Sequence, residues 1–263
     1  MLHRSRLALS PAFAGILLLA ACGSAAPASS QPAPSAPKPA GSSALAAKPP
    51  SSSEVQRLQR AGDPLNATVD SLKKSDVASA KRSFEEFDDG WNAIEVYVKA
   101  RSEPLYRQIE DVQGKVDKQL LESASPKADE VLPLVQQVQT SYGEAIKLAQ
   151  AGPAPNPVLN QLAELRDVRL PLRHTIAALK MADVATAKTE YKKFDDRWDD
   201  VESYVKDRSA DMYRQVEDQM SQVSVALLKQ QSPSASQVLP LAESLLAKYN
   251  DALKLVSEGV TTA

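Results

Sequence analysis

The sequence predicts an all-α protein in which two tandem up-and-down four-helix bundles follow a disordered tether. The first observation is an internal duplication of 107 residues: aligning 64–150 with 171–257 without gaps gives about 39 identities. The second is the spacing of apolar residues, which alternates between three and four in both copies, as in helical bundles. The third is the scarcity of glycine, 9 in 263 residues, which disfavours turn-rich β folds.

Residues 1–21 are expected to form a lipoprotein signal peptide. Arg4 and Arg6 precede an apolar run that is too short for a membrane-spanning helix. The run ends in Leu19-Ala20-Ala21-Cys22, which resembles the lipobox of bacterial lipoproteins, and Cys22 is the single cysteine of the chain. The resemblance implies cleavage before Cys22, lipid attachment to its sulfur and an extracytoplasmic position on a bacterial membrane. The alternative is an ordinary secretory signal with a chance cysteine.

Residues 22–53 are expected to comprise the lipidated cysteine and a disordered tether. About 25 of the 31 residues from 23 to 53 are Ala, Ser or Pro, and the charged ones are Lys38 and Lys48. Such a segment buries too little apolar surface to offset the entropy lost on ordering.

Repeat 1 is expected at 54–150 and repeat 2 at 157–257, with four helices in each. The second helix carries an apolar seam in both copies. The seam consists of Val77, Ala80, Phe84, Phe87, Trp91, Ile94 and Val98 in repeat 1, and of Val184, Ala187, Tyr191, Phe194, Trp198, Val201 and Val205 in repeat 2.

Capping residues and prolines predict the helix boundaries. Capping side chains precede a proline at three predicted first helical positions, namely Asn156-Pro157, Ser125-Pro126 and Ser232-Pro233. Asp76 and Asp183 are expected to cap the second helices. Four prolines lie within apolar patterns and predict kinks or short breaks: Pro64, Pro133, Pro171 and Pro240.

Charge and composition exclude several classes of function. A formal net charge of −2 gives no basic footprint for nucleic acid. One cysteine and two histidines disfavour disulfide frameworks, thiolate zinc sites and histidine-based catalysis. His174 has Ala67 as its counterpart, so it is not expected to have a role common to both copies. We therefore expect no catalytic residues, no enzyme and no cofactor, with a hard metal cation as the one exception to be weighed.

A polar stripe runs beside the seam at seven-residue spacing and is identical in both copies. Its members are Lys81, Asp88, Glu95 and Ser102, with Lys188, Asp195, Glu202 and Ser209 as counterparts. One interpretation is structural: salt bridges to Arg101, Arg107 and their counterparts fix the helix pairing. The other is a carboxylate site that faces a groove. For that reading the candidate binding residues are Asp88, Glu95, Glu110, Asp195, Glu202 and Glu217.

A metal site would require oxygen ligands from these acidic residues. Asp88 and Glu95 are about 10 Å apart along a helix axis, which is too far to share one ion without a second helix. Repeat 2 holds two carboxylate pairs at four-residue spacing, Asp195 with Asp199 and Asp196 with Asp200. Such ligands suit hard cations such as Ca²⁺, Mn²⁺ or Fe³⁺. The more ordinary interpretation is a solvated helix face.

The segment Phe-Asp-Asp-x-Trp-x-x-Ile-Glu at 87–95, with Arg101-Ser102-x-x-Leu105-Tyr106-x-x-Ile109-Glu110, resembles extracytoplasmic helical segments of bacterial high-affinity iron permeases. The resemblance covers about 25 residues of each copy. It implies iron binding by Asp88, Glu95, Glu110 and their counterparts. The chain lacks the Arg-Glu-x-x-Glu motifs and membrane segments of the permeases, and also the His-x-x-Glu motif of imelysin-like lipoproteins.

The leading functional hypothesis is a lipid-anchored, non-enzymatic binding or scaffold protein that presents grooves to a protein or envelope partner, with no nucleic acid involved. A metal-binding accessory of ion uptake is the alternative. A cell-envelope hydrolase is the third and least supported hypothesis.

Overall fold

The computed structural model describes residues 53–260. The signal peptide, Cys22 and the tether therefore lie outside the described residues. Within 53–260 the chain is helical and contains no strand, which confirms the predicted fold class. The described residues belong to one compact unit.

Helices of the two copies follow each other in the same order. Repeat 1 contains α1 (Glu54–Lys73), α2 (Val77–Arg101), α3 (Glu103–Val116) and α4 (Ala128–Ala151). Repeat 2 contains α5 (Pro157–Lys180), α6 (Val184–Trp198), α7 (Glu202–Lys206), α8 (Ala210–Ser224) and α9 (Ala235–Ser257). A π-helical turn follows α3 at Asp117–Leu121 and α8 at Val225–Lys229.

Each bundle has its own apolar core, built from the same aromatic contacts. Phe87 meets the ring of Tyr142 edge-on at 5.5 Å, and Phe194 meets Tyr249 at 5.6 Å. The Tyr142 hydroxyl donates to the carbonyl of Leu58, and the Tyr249 hydroxyl donates to the corresponding carbonyl of Leu165. The predicted seam is therefore the core face of the second helix in both copies.

The two bundles meet where α2 packs against α5. Leu159 and Ala163 of α5 belong to the core of the first bundle, and Ala93 of α2 is only 6% exposed. The Tyr97 hydroxyl donates to Asn160 Oδ1 at 2.8 Å across this contact. Helix α5 thus serves both bundles.

The structure confirms three predicted caps and corrects two. Asn156, Asp76 and Asp183 each accept a hydrogen bond from a backbone N–H in the first turn of the helix they precede. The two predicted Ser-Pro caps are wrong, because α4 and α9 begin two residues after Pro126 and Pro233. Neither of these helices has a side-chain cap.

The prolines that predicted kinks or breaks do not interrupt their helices. Pro64, Pro133, Pro171 and Pro240 lie inside α1, α4, α5 and α9, each of which continues past its proline. In α1 and α5 a threonine hydroxyl one turn later donates to the proline carbonyl.

Repeat 2 departs from the prediction of one continuous second helix, because α6 ends at Trp198 and α7 begins at Glu202. The break coincides with four aspartates in six residues, from Asp195 to Asp200. Aspartate is a poor helix former, and negative charge is unfavourable near a helix C-terminus. In repeat 1 the position of Asp200 is held by Ala93, which the second bundle covers.

Tight corners join the first and second helices of each bundle. Ser75 and Ala182, at corresponding positions, adopt left-handed backbone with φ of 56° and 57°. The amide of Asp183 donates to the carbonyl of Ala178 at 2.9 Å, as expected for a Schellman ending. Neither residue is glycine, so both corners carry a steric cost.

Replacing Ala182 with glycine is expected to stabilise the protein. Glycine removes the steric cost of left-handed backbone, and we expect Ala182→Gly to raise the unfolding free energy by about 0.5–1 kcal/mol. Exposed Ala177 within α5 provides the control, since Ala177→Gly should lower that free energy by a similar amount. Urea denaturation measures both. Destabilisation by Ala182→Gly would contradict the role assigned to this corner.

Candidate functional site

Glu110 and Glu217 accept hydrogen bonds from the buried tryptophans of their own bundles. Trp91 Nε1 donates to Glu110 Oε1, and Trp198 Nε1 donates to Glu217 Oε1 at 2.5 Å. Burial, with Glu95 and Asp88 nearby, raises the pKa of Glu110, while the indole bond opposes that rise. Both glutamates therefore satisfy a core indole N–H in the same way.

Asp88 and Asp195 occupy corresponding positions but have different neighbours. Asp88 Oδ1 accepts a hydrogen bond from Nε2 of buried Gln113 at 2.5 Å. The counterpart of Gln113 is Met220, which has no amide donor to offer. Burial raises the pKa of both carboxyl groups, and neighbouring Asp196 and Asp199 add to the effect at Asp195.

Glu95 links the two bundles. It forms a salt bridge with Arg166 of α5, whose guanidinium also donates to the carbonyl of Asn92 at 3.1 Å. Glu202, its counterpart, begins α7 and lies close to Tyr213 instead. The identical residue is thus used for different contacts in the two copies.

The arginines predicted to pair with the polar stripe have other partners. Arg101 forms a bidentate pair with Glu54 at 2.5–2.6 Å, and Glu54 is only 4% exposed. Arg107 pairs with Glu103 on the surface of α3. The structural interpretation of the stripe was therefore wrong about these two partners.

The residues at the ends of the polar stripe make hydrogen bonds to the backbone. Lys81 Nζ donates to the carbonyl of Leu121 at 3.3 Å. Ser102 and Ser209 are the N-caps of α3 and α8, and their side chains accept from the backbone amides of Leu105 and Met212.

The aspartates considered for a metal site do not share one helical face. Asp195 and Asp196 lie within α6, whereas Asp199 and Asp200 lie in the turn after Trp198, where the helix has ended. Across residues 53–260 no group of three His, Cys, Asp or Glu side chains is arranged to hold a metal ion. The four-residue spacing therefore does not give the helical pairs on which the metal interpretation depended.

Asp117 is a titratable residue that the sequence interpretation missed. Its Oδ1 is buried without a hydrogen-bond partner, and burial beside Asp88 and Glu122 raises its pKa to about 6. In repeat 2 the corresponding residue is Ser224, which lies 3.2 Å from the Tyr191 hydroxyl. Repeat 1 has Phe84 at the tyrosine position and so lacks that hydroxyl. The difference between Asp117 and Ser224 at corresponding positions is the signal in the sequence that could have indicated this residue.

His174 also connects the bundles. Its Nε2 lies 2.8 Å from Asp89 Oδ2 of α2, and its Nδ1 lies 3.7 Å from Glu190 Oε2. The hydrogen bond to Asp89 raises the pKa of His174 above its ordinary value. The counterpart of His174 in repeat 1 is Ala67, which has no imidazole to make such a contact.

Clefts flank the contact between α2 and α5. One, of about 810 Å³, lies between α1, α2 and α5, and basic and acidic side chains both line it. The other, of about 630 Å³, lies between α2, α5 and α9 and is lined by apolar and basic residues. None of the six candidate carboxylates lines either of these clefts.

Comparison with known proteins adds no assignment: the chain matches no protein-family model, no curated protein and no solved structure.

Asp117 is expected to make stability depend on pH. Its pKa is raised in the folded state, so the cost of its charge is present above pH 6 and disappears as pH falls below the unfolded value near 4. Asp117→Asn should therefore stabilise the protein at pH 7.5 by about 1 kcal/mol, less than the full shift implies because solvent partly screens the group. At pH 4 its effect should be small. Chemical denaturation at both pH values measures the difference.

Phe84→Tyr tests the cause, since it introduces the hydroxyl that Tyr191 presents to Ser224 and should lower the pKa of Asp117. Exposed Asp70→Asn in α1 is the control. An Asp117→Asn effect of the same size at both pH values would contradict the electrostatic explanation.

Proposed function

We propose that this protein is a non-enzymatic binding protein, held by a lipid on Cys22 at the outer face of a bacterial membrane. It binds its partner in clefts between its two helical bundles. One observation carries the binding part of this proposal: α5 lines both clefts described above, and most of their lining residues differ from the corresponding residues of the other copy. The cores, by contrast, are built from apolar residues at equivalent positions.

Arg169 is a cleft residue for which the differences between the copies favour binding over packing. Arg169 of α5 corresponds to Gly62 of α1. Both positions belong to bundles with equivalent cores, so the bundle itself does not require this arginine, whereas Arg166 pairs with Glu95 of the other bundle. Residues in which otherwise equivalent units differ, and which line a cleft, are candidates for ligand recognition.

The membrane attachment is supported by the sequence Leu19-Ala20-Ala21-Cys22. Among residues 53–260, none of the helices is long and apolar enough to span a bilayer. An acyl anchor on Cys22, followed by the Ala/Ser/Pro-rich segment, would hold the bundles near the membrane surface.

Cys22→Ser tests the anchor. Cells producing the wild-type chain should retain it in the membrane fraction after a high-salt wash, whereas Cys22→Ser should abolish incorporation of a labelled fatty acid into the chain. Ser30→Ala, which leaves the lipobox intact, serves as control and should remain labelled. Protease should degrade the wild-type chain when it is added to intact cells in which the outer face of that membrane is accessible. Unchanged labelling in Cys22→Ser, or full protection from protease, would overturn the proposal.

Metal binding is the second candidate, favoured by one observation. Burial raises the pKa values of Asp88, Glu110 and Asp117, and repulsion from neighbouring carboxylates adds to each rise, so a bound cation would relieve that repulsion. Against it, Asp88 and Glu110 already accept hydrogen bonds from protein donors.

Thermal unfolding with Fe³⁺, Mn²⁺, Ca²⁺ or Cu²⁺ separates the two candidates. A cation bound by the native state at 100 times its Kd would add about 2.7 kcal/mol to stability. On the proposed function we expect no selective increase. A selective increase that is lost in the double variant Asp88→Asn with Asp117→Asn would favour metal binding instead.

A further inference from the structure

The cleft between α2, α5 and α9 combines an apolar floor with a basic rim. The floor is formed by Val96, Ala100, Leu159, Leu162 and Leu253. The basic side chains of the lining are Lys99, Arg166, Arg169 and Lys254, and Asn250 lies beside Arg169. Four of the lining residues are basic and none is acidic, in a chain whose net charge is −2.

The basic groups of this cleft are only partly neutralised by the protein. Arg166 has a carboxylate partner in Glu95. Within residues 53–260 no carboxylate lies within salt-bridge distance of Lys99, Arg169 or Lys254. Arg169 donates to Asn250 Oδ1 at 3.0 Å, but its Nε is buried without a hydrogen-bond partner. Burial and repulsion from Arg166 and Arg173 lower the pKa of Arg169, so a nearby anion would be stabilising.

Comparison of the two copies shows which lining residues of this cleft are not required for a bundle to fold. Arg169 corresponds to Gly62, and Asn250 corresponds to Gly143. On the floor, Val96 and Ala100 of repeat 1 correspond to Ser203 and Asp207 of repeat 2, which have no second bundle to cover them. The cleft thus lies where the two bundles meet. Lys99 and Lys254 of its lining are shared by the two copies, whereas Arg169, Asn250, Val96 and Ala100 are not.

The dimensions of the cleft fit an elongated ligand. Leu159 and Arg169 are ten residues apart on α5, which corresponds to about 15 Å along the helix. Its volume of about 630 Å³ lies in the range of small-molecule sites. The chain's own segment from 23 to 52 is an unsuitable occupant, because its only charged residues are Lys38 and Lys48. The ligand must carry negative charge at one end and apolar surface along its length.

We propose that this cleft binds a single-chain anionic lipid, a long-chain carboxylate. Arg169 and Lys254 hold its head group with Asn250, and the acyl chain lies along Leu159, Leu162 and Val96. This inference rests on the proposed function as a binding protein and names its ligand class.

Isothermal titration calorimetry of residues 23–263 with dodecanoate, below its micelle concentration, tests the inference. We expect one site with a negative heat-capacity change, because apolar surface is buried. Arg169→Gln and Lys254→Gln should each weaken binding about tenfold or more, as expected for loss of a charge-assisted contact. Val96→Ser, which installs the residue of repeat 2, should weaken binding without removing charge.

Matched controls come from the other copy. Lys147→Gln and Lys206→Gln remove the counterparts of Lys254 and Lys99 and should leave the dodecanoate Kd unchanged. Helicity measured by circular dichroism checks that each variant is folded. Monododecanoylglycerol provides a neutral lipid of equal chain length, and acetate provides a carboxylate without a chain.

Several outcomes would overturn the inference. Equal affinity for the neutral lipid would show an apolar site without charge recognition, and equal affinity for acetate would show a simple anion site. Binding of an acidic amphipathic peptide without binding of dodecanoate would overturn the lipid ligand while supporting the proposed binding function. If neither binds, the inference is wrong, and labelling of Cys22 reports separately on the anchor.

Discussion

The packing of α2 against its own bundle and against α5 is the constraint on which the arrangement of the two bundles depends. One face of α2 completes the core of the first bundle, and the adjacent face meets α5. Small residues make close packing of α2 feasible: in its contact with α1, a Cβ at Gly90 would lie 3.3 Å from the Cβ of Ala61, and Ala93 is nearly fully buried. The clefts and the polar contacts between the bundles all lie beside this line of contact.

The contact between α2 and α5 explains several differences between the two copies. Ala93, Val96 and Ala100 of α2 line the clefts beside α5, whereas their counterparts in repeat 2 are Asp200, Ser203 and Asp207. The break between α6 and α7 belongs to the same pattern, since the uncovered helix has accumulated aspartates that a covered one would exclude. Glu95 and Glu202 show that even an identical residue acquires its role from its surroundings.

Much of the fold could be predicted from the sequence, because the repeat and the three-and-four spacing of apolar residues report directly on a helical core. The aromatic seam and the Asp76 and Asp183 caps are local patterns of this kind. The partners of Glu95 and His174 could not be predicted, because they come from the other bundle and depend on its orientation. The Ser-Pro caps failed for a local reason, as the chain extends for two residues before α4 and α9 begin.

The candidate carboxylates show that identity between the repeats does not by itself indicate a binding site. Glu110 and Glu217 are identical because both accept a core indole N–H, a requirement of the bundle. Most residues that line the clefts, such as Arg169 and Asn250, differ between the copies, so the identities between the repeats do not indicate them.

The contact between α2 and α5 is head-to-tail: a face of the first unit meets a different face of the second. Contacts of this kind have no built-in end, and a unit that kept both faces adhesive would add further copies into a filament. At the outer end of repeat 1, exposed Gln56 and Asp63 stand where α5 has Ala163 and Leu170. At the far end of repeat 2, exposed Ser203 and Asp207 stand where α2 has Val96 and Ala100. The polar side chains on both outer faces therefore disfavour the addition of a further unit through the same contact.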